Sequence, residues 1–283
     1  MREVVIAGVG QTPVGEHWEL SLRSLAHRAL SAARKDAGDM RPEALYIGNL
    51  LAPVLSHQAN LGSLVAGNSG LEGIEAVTVE AGEASGAGAL RVGYLAVASG
   101  LIDCALVLGV EKYTDAVGPQ TEAAVSQVLD MDYEGMQGLT PSGLAGLVAQ
   151  RYLYETGAPR SALMPLALIA HENGAGNPNA MYRKAIKPAV YENAEVIADP
   201  LNMFDLAPYA DGAAAVLLTT PEKLSNAQRD RAVRVTGSAV SIDTLALHDR
   251  RDPLAFEAAR RAVDSACAQA GVLPGEMDLF ETW

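Results

Sequence analysis

Two stretches of 23 residues in this chain resemble each other: "AHRALSAARKDAGDMRPEALYIG" from Ala26 aligns without a gap to "ARRAVDSACAQAGVLPGEMDLFE" from Ala259, identical at seven positions. Ala, Arg, Ala, Ala, Ala, Gly and Glu recur in register. Each copy follows an apolar strand-like run, "VVIAGVG" near Val4 and "VRVTGSAV" near Val233, and each ends in another. A repeated strand–helix–Gly–strand unit restricts the chain to a fold built from two related halves. The second half is expected to begin near Arg231 and to supply one strand, one helix and a last short strand before Trp283. Two parallel strands and one helix cannot cover both faces of a sheet, so apolar surface and a sheet edge should stay open there. Either a partner chain covers that surface or the sequence is a fragment, and the fragment is the favoured reading.

Between the two copies, short apolar runs alternate with helical patterns. Val4–Gly10, Leu45–Leu51, Ala76–Glu80, Cys104–Val110 and Ala213–Leu218 read as strands covered on both faces. Ser21–Ala37, Ala59–Gly67, Ser85–Ser99, Gly143–Glu155 and Arg160–Asn173 read as helices. That order predicts an α/β fold with a largely parallel sheet. "GNPNAMYRKAIKPAVYENAEVIADP" breaks the rhythm with Pro and Asn, and predicts a long excursion over the surface.

Composition narrows the function. A formal net charge of -13 opposes binding to nucleic acid or an anionic membrane surface, so any bound phosphate needs a local basic pocket. Arg183, Lys184 and Lys187 in "YRKAIK" form such a patch, and Arg250 and Arg251 a weaker one. Cys104 and Cys267 lie far apart without C-x-x-C spacing, which disfavours zinc and fits a reducing, cytoplasmic compartment. Both read as packing residues. No apolar run approaches membrane-spanning length, and the N-terminal run is too soon broken by Gly and Pro for a signal peptide. "GVGQTPVG" lacks G-x-G-x-x-G spacing, so a dinucleotide site is not supported.

"VTVEAGEASGAGALRVGYLAVASG", Val77 to Gly100, reads as a buried strand, a tight Gly-rich turn and a helix, with Glu83 at the elbow between Gly82 and Ala84. Turns of this kind present a reactive atom at the start of a helix. Together with "VVIAGVGQTPVG", "SLRSLAHRAL", "NPNAMYRK", "ADPLNMFDLAPYADGAAAVLL" and "DTLALHDRRD", this segment resembles the thiolase superfamily over essentially the whole chain. The sterol-carrier-protein and archaeal acetoacetyl-CoA thiolase branch is the nearest in pattern. The resemblance implies a five-layer αβαβα duplicated fold, its first half complete and its second only begun. Residues 1–230 would form the first half, with a loop region at about 115–200, and residues 231–283 the start of the second. It also implies acyl-CoA thioesters as substrate or ligand, no covalently bound cofactor, no metal, and a homodimer through the strand near Val77–Glu80.

Two departures from the family pattern bear on the chemistry. The family places a Cys at the elbow, where a helix N-terminus lowers the thiol pKa and the thiolate attacks the thioester. Glu83 stands there instead, in "GEASG". A carboxylate attacking a thioester would give a mixed anhydride, a poorer intermediate, so Cys-type acyl transfer through position 83 is not expected. In "FETW", Trp283 stands where the branch tends to carry a His in E-x-H-D-A-F. None of His17, His27, His57, His171 and His248 occupies a matching catalytic position.

Three roles for Glu83 stay open: a vestigial helix-start carboxylate, a general base for retro-aldol cleavage or decarboxylation, or a covalent group. Burial would raise its pKa and the helix N-terminus would lower it. Family aldolases that lack the elbow Cys and work with an OB-fold partner protein make the retro-aldol reading concrete. His171 and Asn173, in "AHENGAGNP", correspond to a part of the family near the CoA channel, and with Arg183, Lys184 and Lys187 they are the CoA-binding candidates. Asp211 and Gly212 read as the turn that starts a strand. The chain is therefore expected to be either a thiolase-like protein of lipid and acyl-CoA metabolism with a non-thiolase reaction, or a silent CoA-binding or scaffold subunit completed by a partner. A Glu83→Cys variant separates loss of the nucleophile from wider loss: an acyl adduct in its intact mass after treatment with an acyl-CoA means that only the nucleophile is missing.

Overall fold

The computed structural model describes residues 1–281, so Trp283 lies outside the described residues. The chain opens with β1 (Val5–Gln11), α1 (Leu22–Asp36), β2 (Ala44–Gly48), α2 (Ala52–Leu55), α3 (Leu61–Asn68), β3 (Glu75–Val79), α4 (Ser85–Ser99) and β4 (Cys104–Glu111). An excursion follows, carrying α5 (Pro119–Val125), α6 (Pro141–Thr156), α7 (Met164–Ala175), α8 (Pro188–Glu192), β5 (Val196–Ala198) and β6 (Leu201–Asn202). The chain then re-enters the sheet as β7 (Gly212–Thr219) and closes with α9 (Asn226–Arg229), β8 (Val233–Arg234) and α10 (Glu257–Ala270).

The main sheet has the order β3-β2-β4-β7-β1-β8. β2 pairs parallel with β3 and β4, whereas β7 pairs antiparallel with both β4 and β1. Strands β1 to β4 therefore run one way, and the expected largely parallel sheet is interrupted by β7. The register gives the reason. Gly212 pairs with Glu111, so the excursion leaves from the end of β4 and returns at that same end, and β7 has to run back.

Alternating side chains build two cores. Leu45, Ile47, Leu106 and Leu108 face α1 and α3 with Leu25, Leu30, Leu61 and Val65. Ala44, Tyr46, Ala105 and Val107 face α4 with Ala89, Tyr94 and Val97. Helix α1 forms because Ser21 caps it, accepting from the Ser24 N–H, while Arg34 and Lys35 sit in its last turn where the macrodipole favours cations. Its buried stripe Leu22, Leu25, Ala26, Ala29, Leu30 and Ala33 keeps helical spacing.

Several expected boundaries move. The strand expected to reach Leu51 stops at Gly48, because Asn49 turns the chain into α2. Asn60 adopts a left-handed φ of 55°, so the helix expected from Ala59 starts at Leu61. Pro159 and Pro165 split the segment expected as one helix into a short turn at Arg160–Ala162 and α7. The Pro/Asn-rich excursion contains α8, which Pro188 starts, and β5. No helix among the described residues is long and apolar enough to cross a membrane.

The open edge expected from the repeat is that of β8 in the second half. The strand near Val77, expected to be buried on both faces, is also largely exposed because it lies at the other edge of the sheet. β3 is the sheet's outer strand, with Val77 exposed. None of α10 is fully buried, and Ile242, Phe256, Leu279 and Phe280 stand in solvent.

Helix α4 meets the sheet at Gly48. A Cβ built there would fall 2.5 Å from the Ser85 carbonyl and the Gly86 nitrogen, backbone that cannot move without shifting the helix. Gly48→Ala is expected to cost about 1–3 kcal/mol in urea unfolding. Gly67→Ala in α3, where a Cβ meets open space, should instead stabilise by about 0.5–1 kcal/mol.

Candidate active site

Strands β1, β2 and β4 end, and β7 begins, at one end of the sheet, where α/β folds gather their ligands. The elbow between β3 and α4 reaches over this end. Gly82 takes a φ of +58°, a conformation that favours glycine. The buried Ser85 hydroxyl accepts from the Ala81 N–H at 2.9 Å and donates to the Gly82 carbonyl, locking the turn. Glu83 is left at its tip. Its neighbour Ala84 caps α4 without any side-chain bond.

A cavity of about 470 Å³ opens against this turn, lined by Gly82, Glu83, Ser85 and Gly86 from the elbow. Gln11, Asn49, Glu111 and Gly212 line it from the strand ends, and Tyr113 and Tyr209 from the segments beyond. Glu83 makes no hydrogen bond or ion pair among the described residues, although its side chain remains open to the cavity. Partial desolvation by the cavity walls raises its carboxyl above the usual range.

Glu111 is the second carboxyl on this cavity. Burial pushes its pKa up against the hydrogen bonds it accepts from Leu50 N (3.0 Å), Leu51 N (3.1 Å) and Asn49 Nδ2 (3.0 Å), and the net shift is upward. Asn49 is itself fixed, because its Oδ1 accepts from Ala52 N at the start of α2. Tyr113 and Tyr209 stack with ring centroids 5.6 Å apart. Burial, then the charges of Glu111 and Glu83, push the Tyr113 phenol up to about 12. Burial, then Glu122, does the same to Tyr209, also to about 12. Both rings are hydrogen-bond donors throughout the neutral range.

Beneath the cavity, Asp211 is fully buried. Its Oδ1 accepts from the N–H groups of Tyr113 (2.8 Å) and Thr114 (2.9 Å). Its Oδ2 accepts from His17 N (3.0 Å), Thr114 Oγ1 (2.7 Å) and Lys112 Nζ (3.1 Å). Burial alone would raise this carboxyl, but the Thr114, His17 and Lys112 donors outweigh it and hold it below the usual range. The buried Lys112 ammonium also reaches Asp115 at 2.9 Å and the His17 carbonyl at 3.0 Å. Its desolvation is outweighed in turn by the two carboxylates, and its pKa is raised. Asp211, expected only as a turn residue, is the tie between three segments.

The CoA-binding candidates lie elsewhere. His171 on α7 stacks on Tyr182 at 6.2 Å and meets Phe204 edge-on at 5.4 Å, with Nδ1 at 3.3 Å from the Lys184 carbonyl oxygen. Asn173, Arg183, Lys184 and Lys187 are exposed on the same region. The structure thus brings His171 beside Lys184, but none of the five lines the Glu83 cavity. Cys104 is buried in β4, where burial, then Glu43 and Asp103, push its thiol up to about 12. Sequence reasoning missed Glu111, Lys112, Tyr113 and Tyr209. Their signal was the charged pair that ends the apolar run Cys104–Val110, at a strand's carboxyl end.

A family profile described as thiolase, N-terminal domain, matches residues 4–222. The acetyl-CoA acetyltransferase of Methanothermobacter thermautotrophicus is 39% identical over 285 residues, 99% of this chain and 73% of the relative. That of Methanocaldococcus jannaschii is 37% identical, covering 99% of this chain and 72% of its own length. The solved Ltp2-ChsH2(DUF35) aldolase superposes with a TM-score of 0.77 over 96% of this chain and 70% of that one, at 22% identity, a likeness of fold.

The buried charges make two predictions. Asp211→Asn leaves the Lys112 ammonium buried without this partner and should cost about 3–5 kcal/mol. Because the folded pKa of Asp211 is depressed, its stabilisation is present above the unfolded value of about 3.9 and lost as pH falls through the folded one. The variant's deficit in pH-dependent unfolding should therefore shrink on the acid side. Glu83 has the opposite sign, with a raised folded pKa. Glu83→Gln should stabilise the fold at neutral pH, a gain that fades as pH falls through the raised folded pKa and is gone below the ordinary Glu value of about 4.3.

Proposed function

The chain belongs to the thiolase superfamily, and from that premise we propose that it handles an acyl-CoA thioester in the Glu83 cavity by proton transfer rather than by covalent acyl transfer. One observation carries the reading. The position that the family gives to its nucleophile holds a carboxyl group that faces the cavity, lacks a partner and is raised by desolvation. A base needs those properties, since a pKa moved toward neutrality improves both its protonation state and its driving force.

The reaction we favour is retro-aldol cleavage of a β-hydroxyacyl-CoA. Glu83 takes the proton of the β-hydroxyl group, the Cα–Cβ bond breaks, and its electron pair passes to the thioester as an enolate. A carbonyl compound leaves. The enolate then takes a proton at Cα, returned by Glu83, to give the shortened acyl-CoA. The Tyr113 and Tyr209 phenols, protonated to about pH 12, are donors on the same cavity for the oxygens that gain charge. Coenzyme A phosphates are proposed to lie along the exposed segment holding His171, Asn173, Arg183, Lys184 and Lys187.

The assembly follows the same reasoning. The open edge of β3 supports a homodimer, and an OB-fold protein is proposed as a further partner. The division into a first half up to about residue 230 and the start of a second half beyond it rests on the duplicated unit. Two free cysteines fit a reducing cytoplasm. The apolar side chains left open between Ile242 and Phe280 favour a second reading, a silent CoA-binding subunit that a partner completes.

Incubation with β-hydroxyacyl-CoAs, followed by chromatography of the thioester products, separates the two. Turnover that Glu83→Gln lowers by about 10²- to 10⁴-fold supports the base. Wild-type kcat should rise with pH through a value above the ordinary Glu range. Solubility that depends on a partner, without any turnover, supports the silent subunit.

A further inference from the structure

A second cavity, of about 280 Å³, lies beside the first and shares two lining residues with it, Tyr113 and Tyr209. The stacked pair is therefore a wall with the Glu83 cavity on one side and a smaller chamber on the other. The wall is built into the fold. Tyr113 is tied by its N–H to the buried Asp211, and both rings pack with Leu51, Ala124 and Val125. Trp18, Ala116 and Val117 give the chamber apolar sides, while Glu16 and Glu122 give it charge. Among the described residues, no Lys, Arg or His lines either cavity.

Resting on the acyl-CoA reading of the Glu83 site, we infer that the second cavity is the subsite for the far end of the acyl group, and that the Tyr113–Tyr209 wall determines how long that group can be. Thioester chemistry occupies the Glu83 side, and the acyl chain points toward the wall. A short chain ends before the rings, and a longer one has to displace Tyr209 to enter the chamber. The chamber's chemistry selects uncharged ends. Glu16 and Glu122 repel a terminal carboxylate, and no cation is present to neutralise it, so dicarboxylic acyl groups are rejected by an unfavourable contact. Specificity of this kind lies in the ring bodies of the wall and in the two carboxylates, and it is read in binding without turnover.

Calorimetric binding of acetyl-CoA, decanoyl-CoA, hexanoyl-CoA and adipoyl-CoA to the full chain tests this. Tyr209→Ala joins the two cavities and should raise the ratio of decanoyl-CoA to acetyl-CoA affinity by about tenfold or more, the discrimination that a few methylenes in an apolar pocket supply. Tyr209→Phe keeps the ring and should leave that ratio within about twofold, which separates the wall from the loss of the hydroxyl group. In the wild type, hexanoyl-CoA should bind more tightly than adipoyl-CoA, of equal chain length, and Glu122→Gln should narrow the gap. A length ratio unchanged in a folded Tyr209→Ala, or in Tyr113→Ala should the first not fold, overturns the wall while leaving the acyl-CoA reading intact. Absence of binding by all four thioesters to the wild type overturns both.

Discussion

Asp211 holds a negative charge that water does not reach, and the active end of the sheet is organised around it. Five donors converge on its two oxygens: the N–H groups of His17, Tyr113 and Thr114, the Thr114 hydroxyl and the Lys112 ammonium. These come from the loop after β1 and the turn after β4, while Asp211 itself opens β7. A buried carboxylate is tolerated only when such bonds replace its hydration, so three separated segments must arrive together or the charge is left unpaired. The excursion of about a hundred residues between β4 and β7 is thereby pinned at both ends, Lys112 and Asp211. Tyr113 is placed as a consequence, and with it the stack on Tyr209 that bounds the cavity.

A second constraint, close backbone approach, sets the elbow. Gly48 lets the start of α4 rest on the end of β2, and the Ser85 hydroxyl then bridges Ala81 and Gly82. This scaffold does not depend on what occupies position 83. The turn is held by its backbone and by Ser85, which is why a carboxylate can sit at its tip without loss of the turn.

The parts of this arrangement that local rules govern were legible in the sequence. Five apolar runs gave their strands to within a few residues, and the Gly-rich turn with Glu83 at its tip is where the pattern of Val77 to Gly100 puts it. By contrast, "VRVTGSAV" forms only the two-residue β8, and the last short strand expected after α10 does not form among the described residues. The direction of β7 was not legible, because alternation along a strand is blind to the neighbour it pairs with, and the direction follows from where the excursion returns. Asp211 looked like any turn Asp, since its partners lie 97 to 194 positions away. Glu111 and the tyrosine pair were hidden for a related reason: a single charged residue at the end of an apolar run reads as the run's boundary until three other strand ends are brought beside it. Among the CoA-binding candidates, Arg183, Lys184 and Lys187 were chosen for charge and His171 and Asn173 for resemblance, and neither ground measures distance from the elbow.

The kind of side chain at the elbow decides which physical effect governs its ionisation. A Cys sulfur lies close to its own backbone, within reach of the helix N-terminal N–H groups, and their field lowers its pKa. A Glu carboxyl is carried two methylene groups further out. In this structure it accepts no hydrogen bond from α4, and the upward pull of desolvation prevails. The same helix start that would ionise a thiol thus leaves this carboxyl easier to protonate. The carboxyl is thereby carried away from the helix start and out into the cavity. There the Tyr113 and Tyr209 phenols keep their protons, and Glu111 adds a second raised carboxyl. Two raised carboxyls and two protonated phenols thus share one cavity, a set able to give and take protons there.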